Sequence, residues 1–463
     1  MRLLKFTVLL FITQFILPEL AHAQDAKNFF DEHQYTQAIQ ALLGKSADLS
    51  GLSDLELYLL GGAHMRRGYF LRDLAALQVR LGRDYYFERD TSKAAKPLAW
   101  TPYFLGRYLF ESDRYDQALR ALQRAGRNNT LPKDYVGRSQ IWIGACQYRL
   151  GKTTEAANSW GNVAAAFSGE LAYARWRLGQ KSEAKCGATN NMPDLRCQLW
   201  SASRVGTQLM NLNKLQTALL NSASADVEQK IGADYVQKFF DPATAQILAY
   251  ADFIAAIAAF SLVKAEKGVD QANFFAGVCA FEAGEYERAS VFLQKTKMAQ
   301  RDIYLGALDY LNGKRNEAEQ KWRPFQNSTA SNELEWAEVA SRFTQKPDAI
   351  LALYQKHQQA AADKMELALR LGRSLMQINR DAEAVETMQQ AYPEQYRDRL
   401  RYIEPAYLIA LAHAKYNLNA RYYAQEILGH INGVREAYPI ALAAYDIAQG
   451  FFTPRFGESN DKR

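Results

Sequence analysis

Catalytic chemistry has little to stand on in this sequence. Its 463 residues contain only 6 histidines and 4 cysteines. His33, His64, His357, His413 and His430 are scattered without ligand spacing, and neither His-Glu-x-x-His nor Gly-x-Ser-x-Gly occurs. Gly151-Lys152-Thr153 resembles the end of a phosphate-binding loop. The glycine required five positions earlier is Cys146, and the segment falls in a helix-to-helix turn rather than after a strand. No catalytic residue, metal ligand or cofactor is therefore expected, and the chain reads as a non-enzyme. A net charge of +6 is too small to argue for nucleic acid. Long apolar runs are also missing beyond the N-terminus. The most apolar later segment, Ile247 to Val263, is shorter than a span and carries Asp252 in its middle, so it reads as a buried helix.

What is present at the N-terminus is an export signal. Arg2 and Lys5 precede a largely apolar Leu3 to Leu17, and Ala21-His22-Ala23 offers small residues for cleavage. The expected mature chain begins at Gln24 and is periplasmic. In an exported protein Cys186 and Cys197, which bracket a turn-rich stretch, read as a disulfide. Closing such a loop stabilises by about 3 kcal/mol in the chain-entropy account. Cys146 and Cys279 each lie two residues after a glycine, Gly144 and Gly277, and read as small core residues.

Those two glycines belong to a recurring spacing: a small residue, an alanine twelve positions on, and a large apolar residue four further. It occurs at Gly106/Ala118/Leu122, Gly144/Ala156/Trp160, Gly277/Ala289/Leu293, Gly306/Ala318/Trp322 and Gly372/Ala384/Met388. Gly, Asn or Asp usually stands seven residues after the first point. The spacing describes a helix, a tight turn and a second helix. Small residues let the two helices cross closely, the bulky residue fills the space between neighbouring hairpins, and Gly151 ends its helix where a left-handed residue is cheap. Repeated hairpins of this kind build an all-α solenoid, a class that binds macromolecules.

On these residues the chain resembles the tetratricopeptide repeat (TPR) family, whose repeat of about 34 residues carries small residues at positions 8 and 20 and a large one at 24. Position 8 falls at Ala26, Gly61, Gly106, Gly144, Ala172, Gly206, Gly277, Gly306, Ala337, Gly372 and Ala412. All but Gly61 have alanine twelve residues on; Gly61 has Asp73, and 45 residues separate it from Gly106. The signature also vanishes between Ala223 and Gly268, although two helices are expected there, the second over Ala243 to Glu266. After Ala184 the large residue would fall at Ala188, inside the Cys186–Cys197 loop, which points to a shortened helix.

The resemblance implies an α-solenoid of antiparallel hairpins wound into a TPR-like superhelix. First helices would line a concave groove, with positions 2, 5, 9, 12 and 13 toward the ligand. Carried over, position 5 gives Tyr58, Tyr103 and Phe274. Position 12 gives Met65, Phe110, Tyr148, Trp176, Phe281 and Tyr310, for which packing between neighbouring first helices competes with ligand contact. Position 9 gives Arg107 and Arg373, and position 13 gives Arg66, Arg149 and Arg177, with Glu111 opposing them. The candidate groove is thus Tyr58, Arg66, Tyr103, Arg107, Arg149, Arg177 and Arg373.

The expected organisation is a leader over 1–23, repeats over 24–223, a divergent segment or joint over 224–268, repeats over 269–450 and a disordered tail over 451–463. The expected function is a non-catalytic scaffold that engages segments of other envelope proteins in its groove. An accessory protein handling an anionic glycan through the basic and aromatic groove is the alternative. Neither nucleic acid nor a membrane span in the mature chain is expected.

Overall fold

The computed structural model describes residues 21–31, 35–45, 49–91, 101–129, 131, 133–178, 180, 186, 192–205, 211–219, 242–328, 330–344 and scattered positions between 352 and 387. Among them every regular element is helical, and the fold is all-α, of the α-solenoid class built from TPR-like helix hairpins. The helices are α1 (Ala21–Asp31), α2 (Tyr35–Lys45), α3 (Asp54–Thr91), α4 (Thr101–Glu111), α5 (Tyr115–Gly126), α6 (Lys133–Arg149), α7 (Thr153–Gly161), α8 (Ser168–Arg177) and α9 (Met192–Val205). A short helix α10 spans 211–219. There follow α11 (Pro242–Phe260), α12 (Glu266–Glu282), α13 (Tyr286–Lys295), α14 (Arg301–Leu311), α15 (Arg315–Trp322) and α16 (Ala330–Thr344). The leader through residue 20, the 220–241 stretch, Arg373, Ala412 and the tail lie outside the described residues.

Four hairpins, α4–α5, α6–α7, α12–α13 and α14–α15, share one construction. Seven residues after the anchor the backbone turns left-handed, at Asp113 (φ 59°), Gly151 (77°), Gly284 (76°) and Gly313 (79°). That conformation lets the next amide reach back five residues: Arg114 to Leu109, Lys152 to Gln147, Glu285 to Ala280 and Lys314 to Asp309, at 2.8–2.9 Å. These bonds satisfy carbonyls that the helix end would otherwise leave open. The same bond joins Gln180 to Arg175 at 3.0 Å in the Ala172 repeat and Arg380 to Leu375 at 2.9 Å in the Gly372 repeat.

The small anchors are required by contact. A Cβ on Gly106 would lie 2.5 Å from Leu122, one on Gly277 2.7 Å from Leu293, and one on Gly306 2.5 Å from the indole nitrogen of Trp322. Trp160 crowds Gly144 in the same way. Both indoles are also tied down, Trp160 Nε1 donating to the Ile141 carbonyl at 3.0 Å and Trp322 Nε1 to Ile303 at 2.8 Å. We expect Gly306→Val to force Trp322 out of this seat and lose at least about 2 kcal/mol, read by chemical denaturation. A loss below roughly 0.5 kcal/mol would mean the seat is loose.

By packing, the described residues fall into two compact units that interleave along the sequence. The first takes residues up to Gly68 and resumes at Asp252; the second takes Tyr69–Ala251. The cuts therefore fall at 68/69 and 251/252. The second cut falls within the stretch 224–268 expected as a divergent helical segment or joint, whose described residues form α11, ending at Phe260, and the start of α12.

In the first unit this interleaving explains the irregular repeat at Gly61. No turn follows the anchor: Gly68, seven residues on, sits inside the 38-residue α3. The bulky partner of Gly61 is Phe260, whose ring would lie 2.8 Å from a Cβ there. A Cβ on Gly68 would lie 3.1 Å from the Phe253 ring and 3.3 Å from the Cβ of Asp252. Ala256, fully buried four residues before Phe260, falls where the second helix of a regular repeat carries its alanine. The Asp54 carboxylate accepts the amides of Lys264, at 3.2 Å, and Ala265, just as Asp270 accepts that of Lys297 at 2.7 Å. Lys264 follows Phe260 by four residues and Lys297 follows Leu293 by four, so both loops are held alike. Residues 54–68 and 252–260 are thus the two halves of one TPR-like hairpin, with Tyr69–Ala251 entering where its turn would be.

Candidate binding surface and its polar clusters

In the second compact unit, the first helices bring together much of the expected basic groove. Arg107 and Glu111 are one turn apart on α4 and share a face, which aligns an ion pair at 3.4 Å. Arg177, at the end of α8, places Nη2 2.9 Å from the other oxygen of Glu111. Gln246 of α11 donates to Glu111 at 3.1 Å and accepts from Arg177 and Tyr173 at 2.6 and 2.9 Å. The Arg107 guanidinium lies 3.2 Å from the centre of the Trp142 ring, a desolvated cation–π contact.

Burial pushes the Glu111 carboxyl up, but the Arg177 and Arg107 charges and the hydrogen bonds outweigh it and hold the group below its ordinary range. Burial works against the charge on Arg177, and Glu111 reverses this and raises its pKa. Glu111 therefore remains ionised and binds two cations that the family pattern would aim at a ligand. Arg107 is 2% exposed and works within the protein. Arg149 is exposed; its Nη2 donates to the Arg177 carbonyl at 3.2 Å. Arg149 is the most exposed of the described candidate arginines, with Arg177 half-buried beside it.

The other candidates are inside. Tyr103 is 3% exposed and packs edge-on against Phe104 and Tyr135. In the first compact unit, Tyr58 is packed edge-on against Phe260 and Phe275, and burial raises its phenol pKa. Arg66 is also buried. Tyr58, Tyr103, Arg66 and Arg107, expected to line the groove, are thus buried, with Tyr103 and Arg107 packed against the next first helix, α6. Position 12 behaves the same way: Phe110 packs on Trp142 at 5.2 Å and Phe281 on Tyr304 at 5.4 Å.

The thiols follow their expected division. Cys186 and Cys197 are joined, with Cα atoms 5.5 Å apart. The residues between 187 and 191, including Ala188, lie outside the described ones. Cys146 and Cys279 are fully buried, and burial pushes the Cys146 thiol up to about 12 and that of Cys279 well above its ordinary value. Such thiols stay protonated and inert.

A second polar cluster, marked by no motif, lies in the first compact unit. His64 Nδ1 and Asp252 Oδ1 are 2.8 Å apart, and both side chains are wholly buried. Arg67 grips the same carboxylate with Nε at 2.8 Å and Nη2 at 2.7 Å, and its Nη1 donates to Thr36 at 3.1 Å. The carboxylate in the middle of an apolar run was the available signal, since a buried charge demands partners. Among the described residues no group of three or more His, Cys, Asp or Glu could hold a metal ion, and no helix is long and apolar enough to cross a membrane.

No family model and no curated protein matches the chain. Its fold is similar to solved structures that include yeast Tom70, at 12% identity and a TM-score of 0.32, covering 95% of this chain and 97% of that one. The APC/C hetero-tetramer Cut9–Hcn1 is another, at 13% identity and a TM-score of 0.27, covering 92% of this chain and 88% of that one. At TM-scores this low the likeness adds nothing to the hairpin geometry described above.

Proposed function

We propose that this protein is a non-catalytic scaffold of the cell envelope, exported to the periplasm, which binds segments of partner proteins along its first helices. The observation that carries the reading is the row of first helices α4, α6 and α8, tied together by Glu111 to Arg177, Arg107 on Trp142 and Trp142 to Glu170, with Arg149 exposed at its end. A preorganised row of helices binds by shape and charge without turnover. Arg149 suits an acidic segment or a chain-terminal carboxylate, which arginine holds through paired donors. The glycan alternative loses its aromatic platform, since Tyr58 and Tyr103 are packed away.

Crosslinking in the native host followed by pull-down tests the proposal. Envelope proteins are expected in the captured fraction, and Arg149→Glu is expected to deplete at least one of them. Capture of no envelope protein would remove the scaffold reading. Capture unchanged by Arg149→Glu would remove the groove from it.

A further inference from the structure

The interrupted hairpin of the first compact unit has no turn to close it, and the buried His64–Arg67–Asp252 cluster sits where a turn would be. Arg67 immediately precedes Gly68, the turn position of the repeat, and Asp252 is the first residue after the interruption. Regular repeats join these two positions by one peptide bond, and the amide of each donates back to a carbonyl of the first helix. Here they are joined by the Asp252 carboxylate, which takes hydrogen bonds from Arg67 and lies 2.8 Å from His64 Nδ1.

We propose that this cluster is a proton-operated clasp: neutral His64 keeps the split hairpin shut, and a proton on its imidazole releases residues 252–260 from residues 54–68. The geometry makes the imidazole the sensitive member. With Nδ1–H donating to Asp252, Nε2 is fully buried and finds no hydrogen-bond partner among the described residues. A second proton would place an unsatisfied N–H and a second cation beside Arg67, whose charge Asp252 already balances. The charged groups acting on His64 are Asp252 from α11 and Arg67 from α3; Thr36 from α2 is neutral.

Burial accordingly holds the His64 pKa below its ordinary value; Asp252 opposes that in part, and Arg67 adds to it. Burial would raise Asp252, but Arg67 and His64 hold it low, so it stays ionised throughout the imidazole range. Once the hairpin opens, His64 titrates near 6.5. Below that pH the open form binds a proton that the closed form lacks, so closure is complete above it and weakens as pH falls. Linkage gives a rise in the opening constant between pH 7.5 and 5.5 that reaches at most about tenfold, when the closed form takes up no proton in that range.

Hydrogen exchange on the full-length protein, corrected for intrinsic rates, tests this. Protection of amides in residues 54–68 and 252–260 is expected to fall by up to about tenfold over that range, while residues 301–311 hold theirs. His64→Gln, which retains a donor for Asp252, is expected to abolish the pH dependence. Constant protection in the wild type across the range overturns the clasp, and so does an equal fall in His64→Gln.

Discussion

A protein from which Tyr69–Ala251 has been removed, with Gly68 joined directly to Asp252, is expected to fold. The junction would recreate a regular repeat. Gly68 stands seven residues after its anchor, where Gly151, Gly284 and Gly313 adopt positive φ, and Asp252 would follow it as Lys152, Glu285 and Lys314 follow theirs. Glycine enters that conformation with little penalty. The facing side chains are already complementary, Phe260 over Gly61 and Phe253 against Gly68. The new amides would find the carbonyls of Met65 and His64, the counterparts of those used at Gly151 and Lys152. Circular dichroism of the shortened protein is expected to show a fully helical chain that melts cooperatively. A chain that is unfolded, or that melts without cooperativity, would mean that residues 54–68 and 252–260 are not two halves of one hairpin.

Breaking the buried carboxylate is expected to be the most damaging single substitution in the first compact unit. Asp252→Ala leaves the Arg67 guanidinium buried without its counter-ion, and removing one member of such a pair costs about 3–5 kcal/mol. Urea denaturation at neutral pH reads this directly. Replacing the cluster as a whole, with His64→Leu, Arg67→Met and Asp252→Leu together, is expected to cost less than Asp252→Ala alone, because no charge is then left without a partner. If Asp252→Ala costs under about 1 kcal/mol, solvent reaches the cluster and the carboxylate does not hold the split hairpin together.

Most of the local construction was legible, because a hairpin is written in neighbouring residues. Gly106, Ala118 and Leu122 lie within a stretch that closes on itself, and a left-handed turn seven residues after the anchor was visible as Asp113, Gly151, Gly284 or Gly313. The interruption was hidden because Gly61 and Phe260 meet across most of two hundred intervening positions. Its traces were nevertheless present as two incomplete signatures: Gly61 and Gly68 without a second helix, and Ala256 and Phe260 without a small residue twelve positions before the alanine. The failure at Asp73 and the loss of pattern before Gly268 are the two ends of one event. The binding site was less legible. Family positions identified which residues lie on first helices, but not that Tyr58, Tyr103 and Arg107 are buried. Glu111 carried the warning, as a carboxylate placed among the arginines it neutralises.

The split hairpin also dictates an order of events during synthesis. Residues 54–68 emerge early, but Phe253 and Phe260, which cover Gly68 and Gly61, are made only after all of Tyr69–Ala251. At ordinary elongation rates that delay is about 10–40 s. For that interval α1, whose Phe30 meets Gly62, is available to cover the waiting face, while the side that receives Phe260 stays bare. The second compact unit has time to form while the first is still incomplete, so the part of the chain that interrupts the repeat is in a position to finish before the repeat it interrupts.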